Sequence, residues 1–273
     1  MGCIITAQLP VIVSQTGPVR TLTMNRPQRR NALDAHLVEA LDMELTAAEA
    51  DPHTRAVILA GSGRSFCAGA DLQYFLGLHA ELGSPITFLR RVSALVTRFE
   101  TSPLPIVAAL HGHAVAGGLE LALGADIVVA ADTTLIGDGH IRNNLLPAAG
   151  SSVRLPRKVG DAMARWLALT GALVTPDQLA ATGWIHAVVT PNDLTAAAHK
   201  VAAELAQHNG PAQSRFKALL FDLTTMDPQQ GLAEELDVFD AHWASNDVPA
   251  SLNAFLARKT ATPAPTSTNS GQQ

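Results

Sequence analysis

The apolar positions of the chain alternate between strand-like and helix-like spacing. VIVSQTGPVRTLTMN (11–25) reads as two β-rich runs around a Gly-Pro turn, and NRPQRRNALD (25–34) follows as a polar loop. From Ala35 to about Ala50, Leu37, Leu41, Met43 and Leu45 recur among acidic residues, which predicts an amphipathic helix. RAVILAG (55–61) is a short continuous apolar run, the pattern of a strand buried on both faces, and the Gly-rich loop GSGRSFCAGADL ends it. A helix from about Ser84 to Glu100 leads through SPLP into a second such strand, IVAALHG. HAVAGGLELALGA reads as a helix opened by Gly117 and Gly118, and DIVVAADTTLIG is strand material again.

Buried strands alternating with helices predict an α/β architecture, with a core over 1–195. From Pro191 onward the chain is Ala-rich and helical, with segments at 193–208, 211–225, 229–244 and 248–259. This predicts a helical C-terminal region, 196–260, that packs on the core or on another subunit. TATPAPTSTNSGQQ has no apolar period, so a disordered tail is expected at 261–273.

Composition narrows the function classes. With 47% hydrophobic and 16% charged residues, the chain is too apolar to be disordered. Aromatic residues are only 4% and the net charge is −5, so neither stacking platforms nor a positive field invites nucleic acid. Cys3 and Cys67 can build neither a disulfide framework nor a Cys₄ zinc site, and no His/Asp/Glu set has metal spacing. No stretch approaches 18 uninterrupted apolar residues and the N-terminus lacks a signal-peptide pattern, so a cytoplasmic location and no membrane partner are expected.

Two glycine-containing loops each follow a buried strand: FCAGADL (66–72) and HAVAGGLE (113–120). Each would present backbone N–H groups at a strand-to-helix turn, where they can hold an anion or a developing oxyanion. Alone, either loop is a weak signal and reads first as a tight turn made of small residues.

Taken jointly, NRPQRRNALD, SFCAGADL and ALHGHAVAGGLELALGADIVVA, in that order and spacing over roughly residues 8–260, resemble the crotonase superfamily, also called enoyl-CoA hydratase/isomerase. The resemblance implies a spiral of ββα units with a helical C-terminal trimerisation region, assembled as a homotrimer or homohexamer. It implies an acyl-CoA substrate, with coenzyme A entering as part of the thioester and no tightly bound cofactor. The amides of Ala70 and Gly117 take the place of the family's oxyanion hole. Arg29 and the backbone of Ala68, Asp71 and Leu72 are expected along the CoA, and Phe255 and Arg258 in SLNAFLARK match a stretch that reaches a neighbouring subunit's adenine pocket. Glu120 matches the first catalytic glutamate of the hydratases.

The chain departs from the family at the second one. Where hydratases run approximately FGxPExxLGxxPGxGG, this sequence reads IGDGHIRNNLLPAAGSS, and His140 stands at the glutamate position. A carboxylate beside an imidazole favours the ion pair, lowering the Glu pKa and raising the His pKa. That assigns Glu120 as base and His140 as acid, the division that water addition to a 2-enoyl-CoA needs. If Ile136 to His140 is extended, Asp138 shares a face with His140 and can orient it. The same residues leave open a C–C bond hydrolase of a cyclic β-keto-acyl-CoA or β-diketone, an enoyl-CoA isomerase using Glu120 alone, and a non-catalytic CoA-ester-binding paralogue. His113 is open between lining an acyl pocket and simple packing.

Overall fold

The structure, a computed structural model, describes residues 9–261. Its elements in chain order are β1 (Val11–Thr16), β2 (Val19–Met24), α1 (Ala35–Ala50), β3 (Ala56–Gly61), α2 (Leu72–Leu82), α3 (Ile86–Thr101), β4 (Ile106–Leu110), β5 (His113–Val115), α4 (Gly117–Leu123), β6 (Ile127–Ala131), β7 (Leu135–Gly137), α5 (Ser151–Val159), α6 (Asp161–Thr170), α7 (Pro176–Ala180), β8 (Ile185–Val189), α8 (Leu194–Ala206), α9 (Gly210–Asp222), α10 (Pro228–Ser245) and α11 (Val248–Ala261). Beyond residue 261 the predicted tail lies outside the described residues, as does Cys3.

Six strands form one sheet in the order β1-β2-β3-β4-β6-β8. The β1–β2 hairpin is antiparallel and every later pairing is parallel. The apolar runs predicted as buried strands are β3, β4 and β6, and they occupy the sheet's centre, where both faces are covered. On one face Leu22, Leu59, Leu110 and Ala130 pack with α1 and α3 through Leu37, Leu41, Val92 and Phe99. On the other, Val19, Ile58, Val107 and Val129 meet Leu194, Ala198 and Ala202 of α8. A separate parallel pair, β5–β7, stands beside the sheet and frames the candidate site.

The chain divides into two compact units after Phe221 rather than at the predicted 195/196. Small Ala residues on α8 seat it directly on the sheet. Lys217 of α9 ties that helix in as well, donating to the carbonyls of Phe99 (2.8 Å) and Leu104 (2.9 Å) and to Asp126 (2.7 Å). Burial holds the Lys217 ammonium below its ordinary range against the pull of Asp126. The second unit contains α10 and α11, with Leu232, Leu236 and Phe239 exposed on α10. Among the described residues no helix is long and apolar enough to cross a membrane.

Between the Gly-rich loop and α3, where the apolar pattern predicts no element, the chain forms α2. Asp71 caps its start, accepting from the amides of Gln73 and Tyr74, and Gly83 ends it at φ +73°.

Candidate active site

The polar loop 25–34 is a clasp. Buried Asn31 takes up φ +55° and its Nδ2 reaches the carbonyls of Ser62, Ser65 and Phe66 at 2.7–3.1 Å. Arg26 bridges Asp34 (2.9 Å) and Asp71 (3.0 Å), holding this loop to the start of α2. The Leu33 amide donates to the Gly69 carbonyl (2.8 Å) and the Asp71 amide to the Leu33 carbonyl (2.9 Å). Alternation along an extended segment then turns the intervening Ala70 amide to the opposite side, where Ala70 lines a cavity.

The second loop reaches the same place by a strained turn. Ala116, not a glycine, sits at φ +53° and ψ −118°, a sparsely populated conformation of the kind that collects at functional sites. Its amide donates to the Gly137 carbonyl (3.1 Å). Gly117 begins α4, and an amide in the first helical turn has no acceptor inside its own helix. A Cβ placed on Gly69 would lie 3.5 Å from the Gly117 nitrogen, and one placed on Gly117 would lie 3.6 Å from the Ala70 nitrogen. The two amides therefore serve one end of one cavity.

Gly118 controls that approach, since a Cβ there would lie 2.1 Å from the Cys67 carbonyl oxygen. Both contacting groups are backbone within well-packed loops and neither can yield cheaply. Gly118→Ala is expected to force the loops apart, lowering turnover by about 10²-fold, the size of losing one oxyanion donor. Gly117→Ala, whose Cβ first meets the flexible end of Leu33 at 3.0 Å, should cost far less. Steady-state kinetics on both variants, with thermal melting as the folding control, checks the contrast.

The cavity holds about 180 Å³ and is lined by Ala68, Ala70, Leu72, Gly117, Glu120 and His140, with apolar walls from α2, α3 and the loop before α5. Phe88 of α3 makes edge-to-face contacts with Tyr74 and Phe75 of α2, at centroid distances of 5.2 and 5.9 Å. These contacts fix the wall that α2 and α3 form. Leu145, Leu146 and Asn143 also face the cavity and were not anticipated.

Glu120 is in the first turn of α4 and is only 3% exposed. Its Oε1 accepts from the amides of Ala149 (2.8 Å) and Ser151 (3.1 Å). Its Oε2 lies 3.8 Å from Nε2 of His140, an ion-pair distance but not a hydrogen bond, so both atoms remain open to a third group. His140 Nδ1 is 2.9 Å from Asp138 Oδ1, and Ser151 Oγ donates to Asp138 Oδ2. The condition of an extended Ile136 to His140 is not met: β7 ends at Gly137, Gly139 turns the chain at φ +64°, and His140 opens a 3-10 turn to Asn143. Asp138 meets His140 through that turn instead of across a strand face.

Electrostatics divide the predicted pair. Burial opposes a charged imidazole, but the hydrogen bond and charge of Asp138, joined by the charge of Glu120, outweigh it and hold His140 above its ordinary value, as expected. Glu120 moves opposite to expectation. Burial pushes its carboxyl above the usual carboxylate range, against the Ser151 and Ala149 amides and the His140 charge. Asp138 stays below that range, because its bonds to His140 and Ser151 overcome burial.

The remaining predicted contacts fall in different places. Arg29 lies on the surface in the 3-10 turn Pro27–Arg29 and donates to Gln73 (2.8 Å). The Asp71 side chain is engaged by Arg26 and the α2 cap. Phe255 and Arg258 are exposed on α11 in the second unit. His113 is not among the cavity-lining residues and pairs with Ser65 Oγ at 3.2 Å. Cys67 is buried and its thiol is pushed up to about 12 by that burial, which leaves it unreactive. Among the described residues no group of three or more His, Cys, Asp or Glu could hold a metal ion.

Known proteins are similar to this chain over most of its length. A "Probable enoyl-CoA hydratase" of Rhizobium meliloti is 34% identical over 251 residues, covering 92% of this chain and 96% of the relative. The "2,3-dehydroadipyl-CoA hydratase" of Escherichia coli is 35% identical over 251 residues with the same coverage. The crystal structure of an enoyl-CoA hydratase from Bacillus anthracis superposes with a TM-score of 0.86 at 29% identity, covering 93% of this chain and 98% of that one. The profile of the Enoyl-CoA hydratase/isomerase family matches residues 15–262, so the two amide loops, Glu120 and the position of His140 all fall inside the match, and the chain belongs to that family.

Proposed function

We propose that the protein adds water to the double bond of a 2-enoyl-CoA. The observation that carries this reading is the Glu120–His140 pair facing one cavity beside the two amides of Ala70 and Gly117. Water attacking Cβ pushes an electron pair through Cα onto the thioester oxygen. Two preorganised amides at that oxygen stabilise the enolate, each by roughly 3 kcal/mol. Glu120 Oε2 takes the proton from the attacking water, and His140 Nε2 delivers a proton to Cα as the enolate collapses. Atoms balance as substrate plus one water, with the proton lost to Glu120 returned through the acid–base pair before the next turnover.

Coenzyme A belongs to the substrate in this proposal and no separate cofactor is needed. Arg29, at the surface beside Gln73, would meet its phosphates. The backbone of Ala68, Asp71 and Leu72 would follow the pantetheine, and Phe255 and Arg258 of one copy would approach the adenine of another. A homotrimer or homohexamer is part of the same reading, supported by the exposed Leu232, Leu236 and Phe239 of α10. A reducing cytoplasm suits a chain with two cysteines.

Mass spectrometry of products from crotonyl-CoA, a longer 2-enoyl-CoA and a cyclic β-keto-acyl-CoA tests the reaction. Gain of one water on the enoyl substrates is the expected result. Ring-opened acid from the cyclic ester alone would replace hydration by C–C hydrolysis, and a shifted double bond without mass change would mean isomerisation.

A further inference from the structure

We propose that Asp138 and Ser151 are a positioning pair that fixes which nitrogen of His140 exchanges protons with the substrate and how far His140 stands from Glu120. This rests on the hydratase reading for the role of His140, although the geometry is independent of it. Four residues form a closed ring. The Ser151 amide donates to Glu120 Oε1 (3.1 Å) and its hydroxyl to Asp138 Oδ2. Asp138 Oδ1 faces His140 Nδ1 at 2.9 Å, and His140 Nε2 faces Glu120 Oε2 at 3.8 Å. Ser151 hydrogen-bonds to both carboxylates of the ring, through its amide to Glu120 and through its hydroxyl to Asp138.

The chemistry of each atom sets the direction. Asp138 is a carboxylate held by two donors, so it can only accept, and His140 Nδ1 must carry the proton in that bond. In the neutral imidazole the lone pair is then on Nε2, the atom turned toward Glu120 and the cavity. In the imidazolium Nε2 is the donor. Either way one atom does the exchange, and the ring nitrogen that could compete with it is occupied. Asp138 and Ser151 are each 2% exposed, which makes both side chains costly to strand without partners.

Ser151 carries a second consequence. Ala149, whose amide is the other donor to Glu120, has its carbonyl held by Arg154 Nη1 at 2.9 Å, so the 149–151 backbone is pinned from both sides. The Ser151 hydroxyl extends that rigid segment to Asp138, and through it to His140. A residue whose backbone serves the base and whose side chain serves the orienter of the acid fixes the base–acid separation without touching substrate.

Two readouts test the pair. Nitrogen-15 spectra of histidine-labelled protein, with His140→Ala supplying the assignment, should show His140 protonated at Nδ1 in the native chain and averaged between tautomers in Asp138→Ala. In kinetics with crotonyl-CoA, Asp138→Ala should lower kcat by about 10²-fold while KM stays within about threefold, because the group lost orients the acid and does not bind the ester. Ser151→Ala should lower kcat by roughly tenfold, and Ser151→Thr, which keeps the hydroxyl and the amide, should recover most of it. Asp138→Asn is the folding control, since it keeps volume and one acceptor. A His140 tautomer unchanged in Asp138→Ala overturns the proposal whatever the enzyme turns over. A kcat unchanged in both alanine variants, with native melting, overturns it as well. Failure of the native chain to hydrate any enoyl-CoA, with the Nδ1 proton in place, would instead count against the reaction and leave the positioning role standing.

Discussion

Replacing Glu120 with glutamine is expected to lower kcat for hydration by about 10³-fold with little change in ester affinity. The isostere is chosen because of what surrounds the carboxyl. Ala149 and Ser151 both direct their amides at Oε1, and both amides are buried. A glutamine oxygen can accept from both, which places its NH₂ where Oε2 stood, opposite His140 Nε2. Packing and hydrogen bonding therefore survive, while the group that can take a proton from water is gone. Glu120→Ala would mix two effects, since orphaning two buried amides costs about 1–3 kcal/mol each in stability. Turnover of crotonyl-CoA and calorimetric titration with a saturated acyl-CoA separate the effects. A Gln variant within tenfold of the native rate would remove Glu120 from the role of base.

The fold was legible where physics is carried by side-chain pattern. RAVILAG and IVAALHG read as parallel strands because a strand covered on both faces has no polar side, and they became β3 and β4. LQYFLGLHAEL did not read as a helix because its apolar residues do not share a face: Leu72, Leu76 and Leu82 are exposed while Tyr74, Phe75 and Leu78 pack against the core. Its caps, Asp71 and Gly83, were the available signal. Glu120, Ala70 and Gly117, which line one cavity, were named through the family resemblance. Ser151 was not, because its amide is half of what it contributes and a backbone donor leaves no mark in the sequence. Asp138 was named as the partner of His140 on the wrong backbone, since Gly139 converts a strand into a turn that still brings i and i+2 together. The Glu120 shift was misjudged because its sign depends on burial against charge, and nothing in LELALG tells that the carboxyl is 3% exposed.

His140→Gln should lower kcat by roughly 10²-fold and remove one limb of the pH profile. In the native protein the base must be ionised and the acid protonated, so kcat/KM should rise as Glu120 loses its proton and fall as His140 loses its own. Both groups are shifted upward. The acid limb should therefore lie above the ordinary carboxylate value of about 4.3 and the alkaline limb above the ordinary imidazole value of about 6.5. Because the two groups interact, these limbs report the pair. Removing the imidazole separates them. Glutamine cannot become cationic, so the alkaline limb disappears. Glu120 also loses the positive charge that opposed its burial, so the acid limb should move further up. The reciprocal experiment has the opposite sign: in Glu120→Gln, His140 loses one of the charges that raised it and its titration should move down, while Asp138 keeps it from falling freely. Profiles of kcat/KM for native and His140→Gln protein, with His140 titration in the Glu120→Gln variant followed by nitrogen-15 shifts, measure both displacements. An alkaline limb that persists unchanged in His140→Gln would mean that another group supplies the proton to Cα.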